Sequence, residues 1–243
     1  MKYKLEILFN GQIAKEELYP EAIEDYFAIS DDLMVIAVCD GASESYDSKN
    51  WAKLLSSKYV KEPNLSEQWI LNAIEEYLNK YDFSSLSWSK QAAFNRGSFS
   101  TLLGLQFHDD AIMDIIAIGD SIAVLIDDME YIDSFPYKTS NKFQERPSLV
   151  STNTDNNHLI VESGFANCVR WDLRDKKSCK ILCLTDALAE WALRNHEKGS
   201  PVWDKLLNIR ECSDLHKCIV DSRIKKDMKV DDSTLITLEV IQK

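Results

Sequence analysis

The stretch VIAVCDGAS, residues Val35 to Ser43, decides how the rest of the chain is interpreted. Its first five residues are apolar, and most are small or β-branched, which predicts a buried strand. Asp40 ends this strand and Gly41 follows at once, so the backbone can turn sharply or come close to a ligand. A carboxylate fixed at the end of a rigid strand suits a metal ion. Asp-Gly is also a common turn dipeptide, and the stretch alone leaves both interpretations open.

The composition is that of a globular protein. The chain has 243 residues, a length that suits one large domain or two small ones, and 45% of them are hydrophobic and 10% aromatic. Its 40 acidic residues outnumber the 28 basic ones and give a net charge of −12. Nucleic acids and anionic membranes attract concentrated Lys and Arg, so neither is an expected partner.

The cysteines and the N-terminus favour a reducing compartment. The six cysteines form no CxxC pair, and the first residues lack the apolar core of a signal peptide. We therefore expect reduced thiols and a cytoplasmic protein. Cys212, His216 and Cys218 are zinc-ligand types, but a helix with two half-buried cysteines explains their spacing better. No apolar run is long enough for a membrane helix.

The first third of the chain predicts paired strands. Lys4–Phe9 reads as a strand that ends in a hairpin turn at Asn10-Gly11. The second half of Pro20–Ile29 reads as a strand that leads through a turn to the strand Val35–Cys39. Glu24 and Asp25 would therefore lie beside the strand that carries Asp40, on opposite faces unless the backbone bends there.

Two helices follow, and then a second group of strands. Ser48 is a plausible N-cap of the first helix, and Asn64, three residues before Glu67, is the capping signal of the second. Strands in two groups, with no regular βαβ alternation, predict an α+β fold with mainly antiparallel sheets. The later predicted elements are strands at 100–107, 112–118, 122–126 and 129–132, a long loop at 134–157, a strand at 178–184, helices at 187–193, 203–209 and 215–223, and a strand at 233–241.

Acidic residues recur at or beside predicted strand ends, and the motifs around them stand in an order that resembles a known family. These motifs are Ile23-Glu24-Asp25, Val38-Cys39-Asp40-Gly41, the strand Gly97 to Thr101, Gly119-Asp120-Ser121, Thr185-Asp186-Ala187 and Asp231-Asp232-Ser233-Thr234. From Glu24 to Thr237 the chain thereby resembles the metal-dependent type 2C serine/threonine protein phosphatases. The resemblance implies a single domain over residues 1–243, built as a four-layer α-β-β-α sandwich of two mainly antiparallel sheets flanked by helices.

The resemblance implies a dinuclear metal site. Asp40 would bridge two divalent cations, and the other ligands would be Glu24, the carbonyl of Gly41, Asp186 and Asp231. Carboxylates and a carbonyl are hard oxygen donors, which favour Mg²⁺ or Mn²⁺ over softer metals. None of these motifs contains an apparent basic partner for the carboxylates.

The same resemblance assigns two further acids. Asp25 would hydrogen-bond the metal-bound water that attacks phosphorus, and Asp120 would be a ligand of a third, weaker metal. The expected cofactors are therefore two or three Mg²⁺ or Mn²⁺ ions. The implied activity is hydrolysis of phosphoproteins in cytoplasmic signalling, with a cognate serine/threonine kinase or its target as partner and a monomer as the expected state.

Several substrate-side residues depart from the family pattern. The neighbourhood Leu18–Glu21, where an arginine usually grips the phosphate, has no basic residue. Ile122 replaces an arginine, Ala187 replaces a glycine, and Ala42-Ser43 replaces a glycine-rich or histidine-bearing segment. Losing a bidentate phosphate clamp weakens substrate binding but leaves metal ligation intact. We therefore expect a divergent but metal-competent phosphatase.

Two alternatives belong to other functional classes. A catalytically weak or inactive phosphatase fold could serve as a binding or regulatory module, because the substrate-side losses resemble decay. An esterase of the GDS type would use Ser121 as nucleophile, with Asp155 and His158 supplying the base. That class places its nucleophile near the N-terminus and its histidine near the C-terminus, which is not the arrangement here.

Overall fold

Two five-stranded antiparallel sheets form the centre of the computed structural model, which describes residues 2–157 and 167–242. The first sheet has the order β1-β12-β11-β7-β8 and the second the order β10-β6-β5-β3-β2. The first contains β1 (Tyr3–Ile13), β7 (Ile122–Asp127), β8 (Glu130–Phe135), β11 (Cys179–Leu184) and β12 (Ser233–Gln242). The second contains β2 (Tyr26–Ile29), β3 (Val35–Cys39), β5 (Leu102–His108), β6 (Ile112–Ile118) and β10 (Asn167–Asp172), while β4 (Phe99–Ser100) and β9 (Val150–Ser151) form a small third sheet.

The helices lie outside the two large sheets. They are α1 (Ser48–Lys61), α2 (Glu67–Leu78), α3 (Trp88–Arg96), α4 (Asp186–Glu197), α5 (Val202–Leu207) and α6 (Cys212–Ile224). Short 3-10 turns occur at Pro20–Ala22, Phe83–Ser85, Ser140–Gln144 and Thr154–Asn156. Among the described residues, no helix is both long and apolar enough to cross a bilayer.

Three apolar clusters hold four layers together. One cluster lies between the two sheets, one joins the second sheet to α1 and α2, and one joins the first sheet to α4, α5 and α6. β3 shows why its sequence is continuously apolar: Ile36 and Val38 belong to the cluster between the sheets, whereas Ala37 and Cys39 face α1 and α2. Alternate side chains point to opposite faces, and both faces are covered. The predicted α-β-β-α sandwich is confirmed.

The predicted hairpin turn at Asn10-Gly11 is wrong. β1 continues through these residues, with Asn10 opposite Ile236 and Gly11 opposite Leu235. The long partner β12 supplies a hydrogen-bonding ladder along the whole of β1, from Tyr3 to Ile13, with one register shift between Ile7 and Phe9. This long-range pairing outweighs the local turn preference of the dipeptide.

The helix starts differ by one or two residues from the predicted ones. Asp47, not Ser48, caps α1, and its side chain accepts the backbone N–H of Asn50. Ser66, not Asn64, caps α2. The sequence did not predict α3 or β10. The predicted loop at 134–157 contains the end of β8 and all of β9. His158, the base of the esterase alternative, lies outside the described residues.

Candidate metal centre

The centre begins where β3 ends. The backbone N–H of Asp40 donates to Thr101 Oγ1 at 2.9 Å, and the N–H of Thr101 returns a bond of 2.9 Å to the Asp40 carbonyl. These two bonds fix the backbone at the aspartate. A Cβ at Gly41 would lie 2.8 Å from the carbonyl oxygen of Glu24, so only glycine lets the two segments approach this closely.

The first sheet brings three more aspartates to the same place. β11 and β12 are neighbours, and Asp186 follows the end of β11 while Asp231 shortly precedes β12. Antiparallel neighbours put the end of one strand beside the start of the other, so these two carboxylates share one sheet edge. Asp120 lies in the tight turn between β6 and β7. With Asp40 they line an open cavity of about 290 Å³.

Burial and mutual repulsion raise the pKa values of carboxyl groups in this cavity. Burial raises the pKa of Asp40 well above its ordinary value, and the nearby carboxylates of Asp25 and Asp186 raise it further. Burial, with Asp186 as the next cause, raises the pKa of Asp120 to about 7. The carboxylates therefore lie close enough to interact, and a cation that binds only the folded protein would relieve the repulsion.

Asp25 is the most deeply buried acid of the group, at 1% exposure. Its Oδ2 accepts hydrogen bonds from Thr185 Oγ1 at 2.9 Å and from Thr234 Oγ1 at 2.7 Å. Its Oδ1 is buried without a hydrogen-bond partner. Burial, opposed by the bond from Thr234, raises the pKa of Asp25 well above its ordinary value. An unpaired buried carboxylate oxygen implies that water or an ion completes it.

Glu24 is not among the described residues that line the cavity, and two side chains hold its carboxylate. Ser48 Oγ donates to its Oε1 at 2.6 Å, and Lys15 Nζ donates to its Oε2 at 2.5 Å. Lys15 also reaches Ser43 Oγ at 2.6 Å. The sequence neighbourhood Leu18–Glu21 has no basic residue, yet the structure brings a basic group to this corner from the end of β1.

Asp232 connects two other chain segments through their backbone N–H groups, a role that its sequence motif did not predict. Its Oδ1 accepts the backbone N–H of Lys15 at 2.7 Å, and its Oδ2 accepts the N–H of Glu24 at 2.7 Å. One carboxylate thus joins three chain segments behind the cavity. Of the adjacent pair Asp231-Asp232, only Asp231 lines the cavity.

Lys229 forms ion pairs with two of the predicted ligands. Its Nζ lies 2.9 Å from Asp186 Oδ2 and 2.7 Å from Asp231 Oδ2. The expectation that these carboxylates have no basic partner is therefore wrong. Burial lowers the pKa of Lys229, but the charges of Asp186 and Asp231 outweigh burial and raise it above its ordinary value.

Solved structures with the same architecture include serine/threonine phosphatases. The catalytic domain of the phosphatase PstP, in complex with two manganese ions, has a TM-score of 0.61 and 11% identity, covering 99% of each chain. PppA, a regulatory component of the type VI secretion system in Pseudomonas aeruginosa, has a TM-score of 0.57 and 13% identity, again covering 99% of each chain. The photosystem II phosphatase PBCP has a TM-score of 0.56 and 14% identity, covering 98% of this chain and 99% of its own.

The chain has the type 2C phosphatase fold. The predicted resemblance is thus confirmed at the level of the fold. No protein-family model matches the sequence, and no curated protein matches it significantly.

The carboxylate oxygens around the cavity suit hard divalent cations. Asp40, Asp120, Asp186 and Asp231 supply carboxylate oxygens around one cavity, and Asp25 adds its unpaired Oδ1. Among residues 2–157 and 167–242, no group of three or more Asp, Glu, His or Cys side chains is arranged to coordinate one metal ion. The oxygen donors of these residues fit a divalent metal ion. Two of the carboxylates, those of Asp186 and Asp231, are instead paired with Lys229.

The predicted long loop borders this centre. Phe143, Pro147 and Leu149 line the cavity beside the aspartates, so the loop forms one wall of the cavity. Ser121, the nucleophile of the esterase alternative, is 1% exposed, and its hydroxyl lies 2.9 Å from Thr101 Oγ1. A buried hydroxyl that positions the strand next to Asp40 is not an accessible nucleophile, which argues against the esterase.

Proposed function

We propose that this chain is a metal-dependent phosphomonoester hydrolase, a divergent serine/threonine protein phosphatase that uses Mg²⁺ or Mn²⁺. The observation that carries the proposal is the meeting of Asp40, Asp120, Asp186 and Asp231 around an open cavity. Buried acids that crowd one cavity, with raised pKa values at Asp40 and Asp120, are typical of functional sites. The type 2C fold around the cavity supports the same chemistry.

The metal ligands in this proposal are Glu24, Asp40, the Gly41 carbonyl, Asp186 and Asp231, with Asp120 for a third ion. Asp40 is the central ligand, because it ends a rigid buried strand and both hydrogen bonds to Thr101 fix its backbone. Divalent cations bound here would supply Lewis-acid activation of water and neutralise the phosphoryl oxygens. The number of ions, two or three, belongs to the proposal.

In this proposal Asp25 orients the attacking water through a hydrogen bond. Thr185 and Thr234 hold one oxygen of its carboxylate, which leaves Oδ1 free to accept a hydrogen bond. A water that donates a hydrogen bond to Oδ1 would be oriented to attack a phosphoryl group bound in the cavity. Because the Thr185 and Thr234 bonds are made inside the protein, the orientation is set before the substrate arrives.

The substrate in this proposal is a phosphoprotein, either a cognate serine/threonine kinase or a target of that kinase. The site is an open cavity rather than a closed one, which suits a phosphorylated side chain presented by another protein. The surplus of acidic residues supports a role without nucleic acid or membrane. We further propose that residues 1–243 form one phosphatase domain that acts as a cytoplasmic monomer in signalling.

Hydrolysis of p-nitrophenyl phosphate with and without Mn²⁺ tests the proposal. Turnover should vanish with a chelator and return with Mn²⁺, and Asp40→Asn should lower it by about 100-fold or more because a central ligand is lost. Asp128→Asn is the control, since Asp128 is an exposed acid that pairs with Lys177 at 3.8 Å. If the metal-loaded protein hydrolyses neither this ester nor phosphopeptides, the phosphatase proposal fails and the binding-module alternative replaces it.

A further inference from the structure

Lys229 places an ammonium group between two carboxylates that the proposed function assigns to metal ions. Its Nζ contacts Asp186 Oδ2 at 2.9 Å and Asp231 Oδ2 at 2.7 Å. The two acids belong to different segments of the first sheet edge, so the amino group bridges them as a cation would. Its side chain is 60% exposed, which leaves room for the ammonium to swing into solvent.

The other oxygens of the same two carboxylates are also engaged. Asp186 Oδ1 accepts the N–H of Ala187 at 2.6 Å, and Asp231 Oδ1 accepts the N–H of Asp232 at 3.1 Å. The oxygens that point away from these backbone groups are the ones that Lys229 occupies. A divalent cation that used those oxygens would be repelled by the ammonium at contact distance, so the two cations cannot share them.

The acidity of the cavity is not confined to these two residues. Asp40 and Asp120 line it as well, and Asp25 nearby has a buried oxygen without a partner. One ammonium group therefore neutralises only part of the charge. The Asp40 side of the cavity keeps an uncompensated excess of carboxylates, which remains attractive to a divalent ion.

We propose that Lys229 is a tethered competitor for the Asp186–Asp231 half of the centre, which must release both carboxylates before a divalent cation binds there. This inference rests on the proposed function, because it takes the same carboxylates as metal ligands. It implies two unequal halves: in the Asp40 half Lys15 pairs with one proposed ligand, Glu24, whereas in the other half Lys229 pairs with both Asp186 and Asp231, so a cation binds there only after both ion pairs are broken. Lys229 thereby sets the divalent-ion concentration at which the centre fills.

Calorimetric titration with Mn²⁺ on the wild type, Lys229→Ala and Lys229→Gln tests the inference. In both variants the more weakly bound Mn²⁺ ion should bind about tenfold more tightly than in the wild type, because no ammonium group has to be displaced. Lys229→Arg should behave like the wild type, since it restores a cation. Lys138→Ala is a matched control: Lys138 Nζ lies 2.7 Å from Asp133, and their exposures of 65% and 27% are close to the 60% and 27% of Lys229 and Asp231.

Thermal unfolding supplies a second readout that needs no turnover. In chelator, Lys229→Ala should melt below the wild type, because two carboxylates lose their counter-ion; in saturating Mn²⁺ the difference should shrink or reverse. Equal Mn²⁺ affinity in the wild type and both neutral variants, or weaker binding in the variants, overturns the inference, as does the absence of Mn²⁺ binding in all of them. Failure of the proposed function looks different: Mn²⁺ binds, yet no phosphate ester is hydrolysed.

Discussion

Replacing Asp25 by asparagine should stabilise the metal-free protein and remove the proposed phosphatase activity. Asp25 is 1% exposed, and one of its carboxylate oxygens has no hydrogen-bond partner. The hydroxyls of Thr185 and Thr234 donate to the other oxygen, and an asparagine carbonyl would accept both bonds equally well. The new amide group would then point toward the neighbouring carboxylates as a donor, in place of an unpaired acceptor.

The magnitude follows from the cost of that unpaired oxygen. A buried polar group without a partner costs about 1–3 kcal/mol, and more when it is charged. Removing the charge should therefore raise the free energy of unfolding by about 1–3 kcal/mol. For a chain of this size each kcal/mol moves the melting temperature by about 2–4 °C, so the expected rise is about 2–12 °C.

Differential scanning fluorimetry in chelator measures this rise, and Asp227→Asn is the matched comparison. Asp227 is fully partnered: it accepts bonds from Trp191 Nε1 at 2.8 Å and from Arg194 Nη1 at 2.9 Å. The same Asp-to-Asn change there should lower the melting temperature. If Asp25→Asn also lowers it, to a similar extent, the unpaired oxygen carries no cost and the reasoning is refuted.

Three further predictions concern individual contacts. Gly41→Ala should lower the free energy of unfolding by about 1–3 kcal/mol in urea titrations, because its Cβ would lie 2.8 Å from the Glu24 carbonyl oxygen; an unchanged midpoint would contradict the close approach. Lys15→Met should cost about 1–2 kcal/mol, since Glu24 loses a 2.5 Å charged hydrogen bond, and a cost below about 0.3 kcal/mol would show that solvent replaces it. The bond from Arg194 lowers the pKa of Asp227, so the stability it contributes is present above the unfolded pKa of about 3.9 and is lost as pH falls through the lower folded value. The difference between wild type and Asp227→Asn should accordingly shrink when unfolding is repeated at acid pH, and a difference independent of pH would contradict the ion pair.

Local sequence patterns predicted much of the fold because they act within single elements. The apolar run Val35–Cys39 is a strand covered on both faces, and Asp40 ends it as predicted. The Gly119-Asp120-Ser121 turn and the acid before β12 also lie where the motifs placed them. Turns and strand ends are short-range features, which the order of residues determines directly.

The partners of the acids were harder to predict because they depend on chain paths. Lys15 reaches Glu24 only because β1 runs straight through Asn10-Gly11, and that path depends on pairing with a strand more than 200 residues away. Lys229 is different: it stands two residues before Asp231, so a search for bases flanking the motif would have found it.

The pairing of β1 with β12 also affects the order in which the protein can be completed during synthesis. Tyr3 lies opposite Gln242 and Ile13 opposite Ser233, so β1 leaves the ribosome about 220 residues before the strand with which it pairs. At about 5–20 residues per second, β1 waits roughly 10–45 s for its partner. Thr234, which holds Asp25, arrives on that same late strand. A nascent chain therefore exposes a long unpaired strand edge and lacks a finished acidic cavity until β12 has been translated, and we expect chaperones to protect β1 during that time.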